Sequence, residues 1–306
     1  MSAPTLAARA AGKKRRAVIK IALLTIWAAV FSVIFLLPTI LTITNSFMSP
    51  GEIASNYGAI FAKGEAGGKV FISERVNLKF IPDMVTLRQY ITVLFKSPEY
   101  LFKFWNSVIL VAPIVLFQVG IAAVASYGFS RYRTKTRNLL FFAYIVLMLM
   151  PYQVTLVPNY LVSQFLKTLN TRWAIILPGI FSPFAVFILT KAMRRVPKSI
   201  IEAARLDGAS EWRVFTRICL PECKSAIYSV IILVFIDYWN MVEQVLILMN
   251  VPEKQPLSVF LSKINAGEIS LAFAVATIYM IPAILLFLHG EDYLVEGITY
   301  SGRLKG

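Results

Sequence analysis

The chain is short of charge and nearly without the residues that bind metals or form crosslinks. Only 15% of its 306 residues are charged, against roughly 25% in soluble domains. With 58% of residues hydrophobic, this excludes an ordinary water-soluble domain and leaves a membrane protein. Cysteine is limited to Cys219 and Cys223, and histidine to His289. Two thiols and one distant imidazole do not supply the clustered ligands of a metal centre, so no metal site is expected. Both thiols fall in a segment read below as cytoplasmic, where they stay reduced, so a disulfide framework is excluded and a structural role is expected. A phosphate loop is missing as well. "KGEAGGKV" at 63–70 has Lys63 where the Walker pattern needs Gly, and Val70 where it needs Ser or Thr. No catalytic residue and no cofactor are therefore expected of this chain, and any ATP would be bound by another subunit.

What is present is a series of long apolar runs. Residues 21–51, 104–130, 138–166, 173–190 and 269–290 carry no charged side chain. A sixth run, 225–250, is interrupted only by Asp237 and Glu243. Crossing a hydrocarbon core about 30 Å thick takes about 20 apolar residues, and a backbone in lipid must satisfy its own hydrogen bonds. Six transmembrane helices are thus predicted, bent where Pro38, Pro113, Pro151, Pro158, Pro178, Pro183 and Pro282 fall.

Six spans put both termini on one side. The amino-terminal tail, residues 131–137, residues 191–224 and the carboxy tail hold 20 of the Lys and Arg residues, and the other side holds 11. Excess positive charge marks the cytoplasm, and the short "RYRTKTR" segment carries most weight because long loops obey the rule poorly. Span-end cations also explain the net charge of +15 without nucleic acid. The amino terminus "GKKRRAVIKIALLTIWAAVFSVIFLL" starts like a signal peptide, but its apolar region outruns the roughly 7–15 residues of that class, so it reads as a retained first span. The resulting plan is a cytoplasmic basic tail (1–20), a first transmembrane helix (21–45), an extracytoplasmic loop (46–103), a five-helix core (104–290) and a cytoplasmic tail (291–306). Within 46–103, "KVFISERVNLKFI" reads as strand-like and "TLRQYITVLF" as helical. That loop is either a small lid or contact structure, or a mobile loop with local order.

One stretch is out of place. "EAARLDGASEWRVFTRICLP" at 202–221 is polar and charged, yet apolar runs flank it. Pro197 suits a helix start, Gly208 a left-handed helix end, Ser210 a cap for the next helix and Pro221 its stop. The result is a cytoplasmic helix-turn-helix, too close to the membrane to approach a duplex. It is either a docking knob presenting Glu202, Ala203, Leu206 and Asp207 or a loop helix lying on the membrane surface.

These residues resemble the EAA motif, E-A-A-x-x-x-G followed by a run ending in Leu-Pro, of permease subunits of binding-protein-dependent ABC importers. "MLMPYQVTLVPNYLV", "LNTRWAIILPGIFSPFAVFILTKAMRRVPKSIIEAARLDGA", Trp239-Asn240, "NSVIL", "SYGFSRYR" and "EGITYSGRLKG" are similar to the carbohydrate branch, specifically its maltose-type G permease. The resemblance covers about residues 104–306. "ECKSAIY" after Pro221 lacks the second proline common in that branch, and acids occupy the fifth span. The resemblance implies an all-α, six-span permease of the MetI-like type I importer fold in the bacterial cell membrane, without enzymatic activity. It implies a coupling loop at 194–222, with Glu202, Ala203, Ala204, Leu206, Asp207 and Gly208 seated in an ATPase cleft. The implied partners are a second homologous permease, two ATP-binding subunits, an extracytoplasmic solute-binding protein and a sugar or oligosaccharide substrate. The loop before the last span, 253–267, is implied to enter the binding protein's sugar cleft.

The fifth run carries a second candidate site. Its 12 Ile, Leu, Val and Phe residues between 225 and 247 contribute roughly −4 to −7 kcal/mol to insertion. Asp237 and Glu243, at about +2.5 to +3.5 kcal/mol each, nearly cancel this. On a continuous helix Asp237, Asn240 and Gln244 share one face, with Glu243 adjacent. That stripe is either a substrate pathway or glue to the partner permease. Two other classes stay open: an ABC importer for a non-sugar solute such as a polyamine or phosphate, and an ATP-independent carrier. Inverted repeats would favour the carrier, and none is found.

Overall fold

The computed structural model describes residues 6–62, 77–132, 134–263 and 268–302. It is helical, with no strand among the described residues. Two compact units divide the chain. One comprises the described residues up to Ile91 together with 268–277, and the other comprises 92–263 and the chain from Ile278.

In the first unit, α1 (Leu6–Asn45) starts well before the apolar run. The preceding "LAARAAGKKRRA" consists almost wholly of strong helix formers, so nothing stops the helix at the charge boundary. From Val18 to Leu37 its side chains are exposed, as expected of a helix solvated by lipid. Its last turn is different, because Asn45 and Ser46 are fully buried. Asn45 Nδ2 donates to the Tyr57 hydroxyl (2.7 Å), which lies on α2 (Pro50–Ala62). The Ser46 and Tyr90 hydroxyls pair at 2.6 Å, Gln89 Nε2 donates to the Met48 carbonyl, and Thr86 N donates to Phe47 O at 2.8 Å. Gln89 and Tyr90 belong to α3 (Arg88–Ile91), so the helical reading of "TLRQYITVLF" holds. The strand reading of "KVFISERVNLKFI" falls mostly outside the described residues, and its last part, 77–81, is irregular rather than extended in a sheet. Glu52 Oε1 accepts the Asp83 amide (2.8 Å) and pairs with Lys79 (3.2 Å), while Lys79 also pairs with Asp83.

In the second unit, a π-helical turn (Thr92–Lys96) leads into α4 (Pro98–Arg131), around which the core is built. Leu110, Ile114, Gln118, Ala122 and Ser126 recur every four residues and form its buried stripe. The helical pair α5 (Lys135–Met148) and α6 (Tyr152–Phe165) corresponds to the third predicted span. It does not run as one bent helix, because the two halves meet at 102°. Pro151 sits at the break, where it lacks the N–H and excludes α geometry for Met150. Each half has 14 residues, about 21 Å, so neither crosses the hydrocarbon alone. The fourth run forms α7 (Trp173–Gly179) and α8 (Pro183–Met193), with Ser182 capping the latter. A Cβ on Gly179 would lie 3.1 Å from Ile114, so glycine permits α7 to approach α4 closely.

The polar stretch folds as α9 (Lys198–Leu206), α10 (Glu211–Val214), a π turn (Phe215–Cys219) and α11 (Leu220–Glu222). Next come α12 (Lys224–Trp239) and α13 (Glu243–Leu248), and then α14 (Leu257–Leu261). The last helix, α15 (Ile269–Gly302), begins in the first unit and continues into the second. Among the described residues, four helices are long and apolar enough to cross a membrane, rising to six if each of two bent pairs counts as one span. Prolines 38, 113, 158, 178 and 282 lie inside helices, whereas Pro151 and Pro183 mark breaks.

Candidate functional site

The helix-turn-helix at 197–222 is built by backbone rules. Pro197 is the N-cap of α9, and the carboxy end of α9 closes as a Schellman motif. Ala209 N donates to Ala204 O, and Gly208 N to Arg205 O, both at 3.0 Å. Gly208 holds φ at +79°, the left-handed region, and a Cβ there would find no atom within 4 Å. The requirement for glycine is therefore conformational within the chain, and the space beyond the turn is open. Ser210 Oγ accepts Arg213 N and caps the second helix. Pro221 does not stop that helix. It runs on to Glu222, with the π turn before Pro221 accommodating the missing donor, and ends at Cys223.

The predicted residues separate by exposure. Ile201, Val214 and Phe215 are buried and anchor the loop, whereas Glu202, Ala203, Asp207 and Gly208 are exposed and Leu206 is 90% exposed. Ala204 is the exception, being half-buried against the core. Sequence reasoning missed the brace beneath. Arg205 and Glu211 form an ion pair (2.7 Å) across the turn, and the Tyr127 hydroxyl of α4 donates to Glu211 (2.6 Å). Arg131 donates to the Met193 carbonyl (2.9 Å) and to Cys219 Sγ (3.3 Å), binding α4 to α8 and the loop. Both thiols are buried and unbridged, and burial raises both, Cys223 to about 11. They pack as small apolar groups.

The second site departs from expectation. α12 ends at Trp239, and the chain breaks at 240–242 before α13, so Asp237, Asn240 and Gln244 do not share one continuous helical face. The polar side chains that would crowd a helix interior sit instead where the helix stops. The Tyr279 hydroxyl donates to Trp239 O (2.5 Å) and contacts Asn240 Oδ1 (3.0 Å), and Trp239 Nε1 donates back to Tyr279 O (3.1 Å). The two rings stack at 5.4 Å. Tyr279 thus satisfies a carbonyl freed by the break, which a membrane interior would otherwise leave bare. Asn240 hydrogen-bonds to Tyr279 and to the Ile236 carbonyl, and it is exposed, as are Asp237 and Glu243. Tyr152 of α6 lies beside Gln244.

The segment after α13 is pinned. Asn106 Nδ2 donates to the Glu253 carbonyl (2.7 Å), and Arg172 donates to Asn106 Oδ1 (2.7 Å). Leu257 N donates to Ser107 Oγ (3.0 Å), and Ser258 Oγ to Met241 O (2.6 Å). Residues 264–267 of the predicted 253–267 loop lie outside the described residues.

Helices of membrane length, a braced polar loop at 197–222 and a pinned segment near Asn106 define a helical protein of the membrane-spanning class. The chain belongs to the family described as the binding-protein-dependent transport system inner membrane component, whose model matches residues 118–300. It is 29% identical over 236 residues to the arabinooligosaccharides transport system permease protein AraQ of Halalkalibacterium halodurans, covering 76% of this chain and 84% of that protein. It is 31% identical to the putative ABC transporter permease protein ORF2 of a Caldicellulosiruptor species, covering 74% and 83% respectively. Its fold is shared with a chain in the crystal structure of a bacterial ABC transporter involved in the import of the acidic polysaccharide alginate. That match has a TM-score of 0.71 at 20% identity and covers 96% of this chain and all of that one.

Proposed function

We propose that this chain is the permease subunit of an ATP-driven sugar or oligosaccharide importer, placed in the cell membrane with both termini in the cytoplasm. A second homologous permease completes the pathway, two ATP-binding subunits drive it, and an extracytoplasmic binding protein delivers the solute. AraQ is described as serving arabinooligosaccharides, which supports the substrate class.

The observation that carries this reading is the loop tip. Exposed Glu202, Ala203, Leu206 and Asp207 surround Gly208, whose bare backbone faces open space. An exposed tip that carries the Glu202 and Asp207 carboxylates suits a cleft with basic residues. Ala204, half-buried, supports the tip from beneath. Truncating one partner of a buried interfacial charge pair costs about 2–5 kcal/mol. Glu202→Ala or Gly208→Asp is expected to abolish uptake and release the ATPase during purification. Unchanged copurification and uptake in both variants would sink the assignment.

Asp237, Glu243 and Gln244, with Tyr152, form the polar lining of the pathway, and Asn240 shapes the break beside them. Exposed carboxylates favour a neutral oligosaccharide over a polyanion. The loop at 253–267 contacts the binding protein, and its anchorage at Asn106 fixes where it projects. Shortening it is expected to abolish stimulation of ATPase activity by the binding protein.

A further inference from the structure

We infer that the end of the bundle beside α9 carries a binding site for the phosphate of an anionic phospholipid headgroup. A cleft of about 290 Å³ is lined by Ser130, Arg131, Arg194, Lys198, Glu202 and Arg205, with Val196 and Ile201 at its apolar side. Four cations therefore surround it against one carboxylate.

Three elements contribute these charges by construction. Arg131 ends α4 and Arg194 caps α8, positions where a cation answers the negative helix terminus. Lys198, Glu202 and Arg205 fall at i, i+4 and i+7 of α9 and so share one face, turned to the cleft. Much of this charge is already engaged. Arg205 pairs with Glu211, Arg131 donates to Met193 O and Cys219 Sγ, and Arg194 donates to Phe129 O at 3.5 Å. Lys198 has no hydrogen-bond or ion-pair partner among the described residues. No anionic side chain other than Glu202 lines the cleft, and with Arg205 paired to Glu211 an excess of two positive charges remains.

The surroundings favour a lipid over a soluble anion. The Arg194 guanidinium lies 4.8 Å from the Phe141 ring, which belongs to an aromatic cluster with Phe129 and Phe187. Nearby on α5, Leu139, Leu140 and Phe142 are exposed. Cations above an aromatic band and exposed aliphatic side chains are the pattern of a bilayer interface. A phosphodiester in the cleft leaves its acyl chains against α5. Glu202 lines this cleft and also borders the loop tip, so the lipid phosphate and the ATPase meet beside the same carboxylate.

Native mass spectrometry of the purified importer complex, supplied with phosphatidylglycerol or phosphatidylcholine, tests this. The wild type is expected to retain phosphatidylglycerol about tenfold better than phosphatidylcholine, and Arg194→Gln with Lys198→Gln to bring the ratio near one. The conservative exchange Arg194→Lys with Lys198→Arg keeps both charges and is expected to restore the wild-type ratio, which separates lost charge from misfolding. Equal lipid retention by wild type and the double variant overturns the proposal. Displacement of the lipid by millimolar inorganic phosphate assigns the cleft to soluble phosphate and overturns the lipid source. Loss of the ATPase from the double variant with lipid retention unchanged makes the cleft a protein-docking surface and likewise overturns it. Lipid retention is read without transport, so it stands or falls separately from the coupling assignment.

Discussion

Gly208 and Tyr279 show two kinds of residue-scale constraint. At Gly208 the left-handed backbone alone demands glycine, since no atom would touch an added Cβ. Gly208→Ala is expected to cost about 1–2 kcal/mol of stability through backbone strain. It should leave the ATPase bound in copurification, unlike Gly208→Asp, which adds a charge at the docking face. Tyr279 acts through one hydroxyl, which accounts for the Trp239 carbonyl. Tyr279→Phe leaves that buried acceptor unsatisfied and is expected to destabilise the subunit by about 1–3 kcal/mol, read as a lower unfolding temperature in detergent. The first residue was legible in the sequence because a helix end followed by glycine and a Ser cap is a local signal. The second was not, because a tyrosine 40 positions away matters only once α12 is known to stop at Trp239.

At the scale of elements, charge-free runs located the apolar segments but not their internal breaks. Length and hydropathy do not report that residues 138–166 fold as two helices at 102°, since composition is the same on both sides of Pro151. The same blindness produced the single face drawn through Asp237, Asn240 and Gln244. Ion pairs across loops were invisible for the same reason, and one gives a pH dependence. The Asp83 amide lowers the Glu52 carboxyl below its ordinary value near 4.5, burial opposes this, and Lys79 adds to the lowering. A carboxyl lowered on folding stabilises the fold above its unfolded value, and the contribution fades as pH falls through the folded value. The contact between α2 and residues 79–83 should thus hold at neutral pH and loosen below about pH 4.5. The protection factor of the Asp83 amide, taken against the intrinsic exchange rate at each pH, should fall with acidification in the wild type and be low at every pH in Glu52→Ala.

For the whole molecule, the two candidate sites differ in how firmly they are held. The loop at 197–222 is rigidly braced from below by Tyr127, Glu211 and Arg205, so its exposed tip is presented without the loop having to fold on contact. Glu211→Ala removes the acceptor of both Arg205 and Tyr127. It is expected to keep the subunit in the membrane while lowering uptake several-fold, measured with reconstituted transporter. The substrate lining proposed at Asp237, Glu243 and Gln244 has no such brace among the described residues, and competition between neutral and anionic oligosaccharides for uptake is expected to favour the neutral ones.

The stop at Trp239 also divides mechanical labour. Upstream, α12 is tied to α15 by the paired Trp239 and Tyr279 contacts. Downstream, α13 is tied to the turn after α6, where Asn170 N donates to Leu248 O (2.9 Å) and Asn170 Oδ1 accepts Asn250 N (2.9 Å). Residues 240–242 are the joint between these two blocks, and Ser258 grips the joint at the Met241 carbonyl. On the proposed topology, a tug on the segment around 253–257 is delivered through Ser258 to residues 240–242, and that strap gives an event outside the membrane a direct mechanical route to the carboxylates of Asp237 and Glu243.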